Sequence, residues 1–459
     1  MKRIDQAFIL YVTLALVCLV YLGLGVSYAA RTPDWQVPDE PAHYNYIRQI
    51  AEDGALPVMQ PGDWDSEYQG LLVSSGFAPQ YLDELARVEF QDHQPPLYYL
   101  LAAPIYALTD GDLLALRLLS VAFGLGMLLA TFALLRLLFP EQPWLAPLAA
   151  GFVVFIPQHL AFLGGVNNDP FANLLVACTL LAVVWYLARP AEAPRLREAL
   201  VLGVLVGLAF LTKSTIYFLA GIAGLAILLR WRRARWPQAT GAQQIAAFLI
   251  PALVLGGLWW GRNLDVYGGT DFLGLQQHNE VAAGQLQTTD YIQQAPPAGL
   301  GGDLNTYRRN YLFTTFHSFW GQFGWMAVPM PIRLYRVLLG VCVLLGIGSL
   351  LYAGQMKWPR RLTAPQQEAL VLFALASLLV LAAYLLYNLT FVQFQGRYLY
   401  PALVPLAVWV SIGITGWTGL IARWIPGARW AGIVGILALA GLAWYALHTY
   451  IVGVFPVWS

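Results

Sequence analysis

The feature that most constrains this chain is a recurrence: apolar runs of about twenty residues, the length of a helix that crosses a hydrocarbon layer of roughly 30 Å, return from one end to the other. The first of them, residues 7–28, contains no charged side chain. A chain that is 58% hydrophobic and only 11% charged cannot fold that much apolar surface into one soluble core. The pattern predicts an all-α polytopic membrane protein. No small-residue cleavage site follows the first run, which reads as a retained span.

Further clear runs fall at residues 113–138, 145–164, 171–187, 245–261, 334–352, 368–387, 398–421 and 430–450. Residues 95–108 are too short to cross and read as an interfacial helix. Residues 198–230 are too long for one span and carry Lys213 near the middle, so they read as two short spans meeting there. That gives about eleven transmembrane helices. Basic residues collect in cytoplasmic loops, and the cluster Arg230, Arg232, Arg233, Arg235 lands inside only with this count and a cytoplasmic N-terminus. Roughly twenty of the 25 acids then face outward, most of them between Asp34 and Asp112, and two long extracytoplasmic loops, 29–112 and 263–333, are the extended polar segments. Residues 287–305 in the second, rich in Gln, Pro, Gly and Thr, read as a mobile strap.

Several function classes drop out. The net charge of +1 says nothing about partners in such a chain, and no nucleic-acid partner is expected. Cys18, Cys178 and Cys342 all lie in apolar runs and suggest neither a disulfide framework nor a metal cluster. No phosphate-binding glycine loop or dinucleotide fingerprint is present.

The polar residues that remain fall into a few constellations. In PDEPAHYNY (38–46), Asp39 and Glu40 sit between prolines just after the first run. Asp39 suits the N-cap of a helix, with Pro41 in its first turn. On that helix Asp39 lies four residues from His43, and Glu40 four from Tyr44, so polar groups share a face. A carboxylate so placed beside a reacting hydroxyl can act as general base. NNDP (167–170) suits a turn and helix start, and puts Asp169 at the same outer level. HQPPLYY (93–99) opens the interfacial helix with His93, Gln94 and Tyr98. Three cations stand on the acidic outer side, against the inside bias: Lys213, Arg262 beside Asn263, and Arg397 beside Tyr398. Together they suit a phosphate. The aromatic FWGQFGW (319–325) suits an interface belt.

In this order these motifs, with Thr212-Lys213 and WWGRNLDVYGG from Trp259, resemble the GT-C superfamily of integral membrane glycosyltransferases. The layout is similar to protein O-mannosyltransferases and aminoarabinose transferases. PDEPAH, FWGQFGW and QGRYLYP also resemble a group of bacterial membrane proteins. The resemblance implies one GT-C-like transmembrane domain over 1–459, in the cytoplasmic membrane with its site on the extracytoplasmic side. It implies an inverting transferase that moves a sugar from a polyprenyl-phosphate donor to a hydroxyl of a glycan, lipid or protein acceptor. Carried over by position, Asp39 is the base, Glu40 its acidic neighbour and Asp169 the acid of the second outer turn. Aminoarabinose transferases carry Lys where this chain has Gln94, which shifts the phosphate to Arg397, Arg262 and Lys213. His43, His93, Gln94, Tyr98, Asn263 and Tyr398 complete the expected substrate-contacting set. No cofactor is required on this reading, although Asp39, Glu40 and Asp169 could hold a divalent metal if they converge.

Two alternatives remain open. A polysaccharide ligase or polymerase would take a diphosphate-linked glycan and rely more on outer Arg and His than on an early acidic pair. A flippase or transporter would place ionisable groups deep in the span centres, where this chain has few.

Overall fold

The computed structural model describes residues 3–190, 194–293, 303–357 and 361–456. Long apolar runs become helices because a helix pairs its own backbone polar groups where water is absent. The first half holds α1 (Arg3–Arg31), α2 (Glu40–Asp53), α3 (Ser66–Ser74), α4 (Leu97–Leu108), α5 (Leu113–Leu138), α6 (Leu145–Phe155), α7 (Pro157–Leu163), α8 (Asp169–Ala188), α9 (Leu196–Phe210) and α10 (Phe218–Ala234). The second half holds α11 (Gln238–Tyr267), α12 (Leu275–Val281), α13 (Thr288–Gln293), α14 (Leu304–Trp320), α15 (Ile332–Gln355), α16 (Ala364–Thr390), α17 (Leu403–Ile421) and α18 (Gly432–Ala446). Between α14 and α15, β1 (Gln322–Phe323) pairs antiparallel with β2 (Val328–Pro329).

Among the described residues nine helices are long and apolar enough to cross a membrane, and α6 with α7 makes a tenth as one span bent by 70°. The bend falls at Ile156, which is extended because Pro157 follows it. The expected eleventh span is α9. It has 15 residues, about 22 Å at a rise of 1.5 Å per residue, shorter than the helices just counted, yet it carries the chain from the far end of α8 back to the end where Lys213 meets Asp169. The chain does break at Lys213, as its sequence suggests, and the break also serves packing. The carbonyls freed there accept hydrogen bonds from the Leu97 N–H, at Leu211 (2.9 Å), and from the Tyr217 hydroxyl, at Phe210 (2.7 Å). The break thus seats the start of α4, whose 12 residues are, as expected, too few to cross.

The spans pack around one large apolar core. Where α15 crosses α17 the backbones nearly touch: a Cβ at Gly416 would lie 1.8 Å from the Gly348 carbonyl oxygen, so only glycine fits. Outside the bundle the first long loop builds a second, smaller core from Ala42, Met59, Leu72, Phe77, Val88 and Phe90. The β1–β2 hairpin clamps onto it, with the Trp325 indole N–H donating to the Trp35 carbonyl at 3.0 Å. That tryptophan of FWGQFGW therefore ties two loops together as well as suiting an interface belt. Of the strap at 287–305, α13 covers the start, while residues 294–302 lie outside the described residues.

Candidate active site

Four segments far apart in sequence meet at one end of the bundle: the start of α2, the turn into α8, the break between α9 and α10, and the short turn Gly396–Ala402 that leads into α17. Each delivers its side chain for a local reason. Asp39 stands at the N-cap position of α2 with a left-handed backbone, φ 66°, which Asp tolerates better than most residues. Its carboxylate does not cap the helix, contrary to expectation. Instead Oδ2 accepts from Arg397 Nη2 at 2.5 Å. At Asp169 the turn work is done by Asn167, whose Oδ1 accepts the Asp169 N–H at 2.9 Å. The Asp169 carboxylate is left to receive Lys213 Nζ at 2.6 Å, and the same ammonium donates to Asn168 Oδ1 at 2.8 Å.

Arg397 reaches the site because Gly396 presses against α14. A Cβ there would lie 2.3 Å from the Phe319 nitrogen, and the Gly396 N–H donates to Ser318 Oγ at 2.7 Å. The Arg397 guanidinium then lies over the rings of Phe162 and Tyr398, 5.0 and 5.4 Å from their centres. Its side chain is only 11% exposed; it bonds Asp39 and reaches the neighbouring Tyr398, and Nε is buried without a partner. Tyr398 flanks it and stacks on Tyr384.

His43 sits among these charges. Its Nδ1 shares a 2.8 Å hydrogen bond with the Tyr99 hydroxyl, and Tyr99 stacks on Tyr46 at 3.7 Å. Burial first, then the Lys213 ammonium, pushes the imidazole down to about 3, with Asp39, Asp169 and Arg397 also in electrostatic range. It is therefore neutral at pH 7. Tyr99 and Gln94 in turn accept from Asn168 Nδ2, at 3.4 and 3.3 Å. Gln94 Nε2 lies 3.0 Å from His93 Nε2, and His93 Nδ1 lies 3.1 Å from the Phe90 carbonyl. Donation to that carbonyl puts the His93 proton on Nδ1. Burial, and next the nearby His278, holds His93 well below the usual imidazole range. His93 and Gln94 thus join the site through Asn168 and do not face it directly.

Glu40 goes elsewhere. It is fully buried and takes a two-point bond from Arg117, Nε to Oε1 at 2.8 Å and Nη2 to Oε2 at 2.7 Å. The backbone N–H groups of Val166 and Trp35 bind the same carboxylate. Arg117 also donates to the carbonyls of Ala29, Thr32 and Pro33. This corrects the expectation of a reactive acidic pair, since every strong acceptor direction on Glu40 is taken. Asp39, Glu40 and Asp169 accordingly do not form the carboxylate trio that a divalent metal would use. Among the described residues no group of three or more His, Cys, Asp or Glu side chains is placed to hold one.

The expected trio of cations also reduces to two. Arg262 donates to the Pro57 carbonyl and to Asn263 Oδ1, and lies over the Trp259 ring. Asn263 is fully buried and binds the Phe272 carbonyl at 3.1 Å. Arg262 pins the first long loop to α11, and Asn263 pins the turn that follows α11. Tyr98 is buried edge-on against Tyr99, and Tyr44 gives its hydroxyl to the Gly111 carbonyl without meeting Glu40. The sequence reading missed Arg117, Tyr99 and Asn168. A signal existed for Arg117, a lone charge inside an apolar run, which demands a buried partner.

Residues 79–406 match a family described as predicted membrane protein (DUF2142), and the chain belongs to that family, a multi-pass integral membrane protein. Asp169, Lys213 and Arg397 fall inside the matched region and Asp39 before it. None of the curated proteins matches the chain. Among solved structures, it resembles the Archaeoglobus fulgidus oligosaccharyltransferase in complex with Zn and sulfate, at 13% identity and a TM-score of 0.50, over 96% of this chain and 53% of that one. The same enzyme tethered to an acceptor peptide gives 12% identity and a TM-score of 0.50, over 97% and 55%. ArnT from Cupriavidus metallidurans bound to undecaprenyl phosphate gives 12% identity and a TM-score of 0.49, over 98% and 74%. The chain thus spans about half of the oligosaccharyltransferase. At these identities the likeness is one of fold, which is GT-C-like.

Proposed function

We propose that the protein is a glycosyltransferase that moves a sugar from a polyprenyl-phosphate donor to an acceptor hydroxyl at the extracytoplasmic face of the cytoplasmic membrane. The observation that carries this is the pair of carboxylate–cation contacts, Asp39 with Arg397 and Asp169 with Lys213, around the neutral His43. The GT-C-like fold is in keeping with it.

The chemistry needs a base for the acceptor and positive charge for the leaving phosphate. In this reading the acceptor oxygen attacks the anomeric carbon and passes its proton to Asp39. The bond from that carbon to the phosphate oxygen breaks, and the electron pair leaves with the polyprenyl phosphate, with inversion. Arg397 and Lys213 receive the phosphate charge, and Asp169 with Asn168 holds Lys213 in position. His43, kept uncharged, offers its free Nε2 as a hydrogen-bonding group for a sugar hydroxyl. The charge distribution between loops supports an outer location for the site.

The test is transfer of radiolabelled sugar from candidate polyprenyl-phosphate sugars in reconstituted membranes, comparing wild type with Asp39→Asn. Loss of transfer in the variant is expected. Wild-type activity in Asp39→Asn overturns the base assignment.

A further inference from the structure

We propose that Arg397 is a handover residue: it masks the Asp39 carboxylate in the free protein, and an incoming phosphate draws it away, so that the base is exposed only once the donor is seated. The proposal rests on the function given above and adds an order of events to it.

Two buried arginines make the argument by contrast. Arg117 satisfies its guanidinium completely enough to be immobile, with two bonds to Glu40 and three to backbone carbonyls. Arg397 is nearly as enclosed, but its one charged hydrogen-bond partner is Asp39, met through a single oxygen; beyond that it reaches only the Tyr398 side chain and leaves Nε buried with no acceptor. A guanidinium has five N–H donors in a planar fork. One carboxylate oxygen meets a small part of that capacity, and a phosphate would meet far more of it, two bonds at a time. The surroundings permit movement, because the group rests on the faces of Phe162 and Tyr398, over which a cation slides without breaking a directed bond.

Asp39 is the fixed partner. Pro38 and Pro41 bracket it, and the helix it precedes is locked by the neighbouring Glu40–Arg117 bond. Lys213 is also fixed, since Asn168 and Asp169 hold it from two sides. Of the two cations, Arg397 is therefore the one free to change partners. While it stays on Asp39, the guanidinium occupies the carboxylate oxygen that an acceptor hydroxyl would otherwise meet. The proposed consequence is compulsory order, with the donor phosphate binding before the acceptor can be activated.

Carbodiimide coupling of an amine to carboxyl groups, mapped by mass spectrometry on the purified full-length protein, reads this directly without any transfer reaction. The probes are a short-chain prenyl phosphate, the matching prenyl alcohol and inorganic phosphate. Labelling of Asp39 is expected to be low in the free protein and to rise several-fold with prenyl phosphate but not with the alcohol. The same rise with inorganic phosphate supports the handover and assigns recognition to the phosphate alone, whereas a rise with prenyl phosphate only adds the lipid. In Arg397→Gln, Asp39 is labelled from the outset and no probe changes it, while Glu40, sealed by Arg117, stays unlabelled throughout. Asp39 labelling that prenyl phosphate leaves unchanged or lowers in the wild type overturns the proposal, as does wild-type protection in Arg397→Gln. Unmasking without sugar transfer from any donor would retire the transferase reading and keep the handover; transfer without unmasking would do the reverse.

Discussion

Asp39 and Glu40 are neighbours in sequence and opposites in surroundings. Glu40 has no exposed surface and is bound by a guanidinium and two backbone N–H groups. Asp39 keeps 18% of its side chain exposed and has one partner that is itself short of acceptors. The same acid–arginine pairing therefore does two jobs. A carboxylate whose acceptors are all committed fixes structure, whereas one with a spare oxygen beside an under-bonded cation can take part in chemistry.

The sharpest way to break that comparison is to disturb the structural pair. Glu40→Ala or Arg117→Ala leaves an uncompensated buried charge and is expected to cost about 3–5 kcal/mol of stability, measured as thermal unfolding in detergent. Asp39→Asn should do the converse. It leaves the melting temperature close to wild type and lowers transfer by roughly 10²–10⁴-fold, the range for losing a general base. Equal stability losses at the two positions would erase the distinction.

Next in size is the cationic half. Lys213→Gln removes a charge-assisted bond of about 1.5–3 kcal/mol and should weaken prenyl-phosphate binding by roughly 10- to 100-fold in a titration. Arg262→Gln, at a residue engaged with Pro57, Asn263, Tyr267 and the Trp259 ring and not with the site, should leave that affinity unchanged.

The pH response separates the two environments further. His43 is held down to about 3 in the folded protein against an ordinary value of 6.5. Below 6.5 the unfolded chain takes up a proton that the folded one refuses, so stability is complete above that pH and falls towards pH 3. The slope from this one group is about 1.4 kcal/mol per pH unit, visible as the difference between wild type and His43→Gln in detergent melts. The smallest effect is at Asp92, whose carboxyl burial raises well above its usual range and whose Oδ1 has no partner. There stability is lost as pH rises through the carboxylate range, because the folded state must give up a proton it favours. Asp92→Asn should then stabilise the protein at pH 7 by about 1 kcal/mol, again by melting temperature.

Much of this was legible in the chain and some of it was not, for identifiable reasons. The break at Lys213 showed because a cation interrupts an apolar stretch, but the sequence could not say that α9 would stop at Phe210 and give a neighbouring carbonyl to α4. Asp39, Asp169, Lys213 and Arg397 stood out as charges at the outer ends of apolar runs. Arg262 stood out by the same logic and turned out to hold a loop. Glu40 could not be told from Asp39, since both sit at a helix start beside proline. Their partners lie 77 and 358 residues away.

Sequence alone determined that this chain folds as a bundle of apolar helices. Hydrophobic length and the placement of charge act through local rules that need no tertiary partner. Only the folded structure decided which acid is sealed and which is open, and which two of three cations share a site. Those outcomes depend on hydrogen bonds between segments hundreds of residues apart, and a buried donor or acceptor is satisfied by whatever the packing brings within about 3 Å.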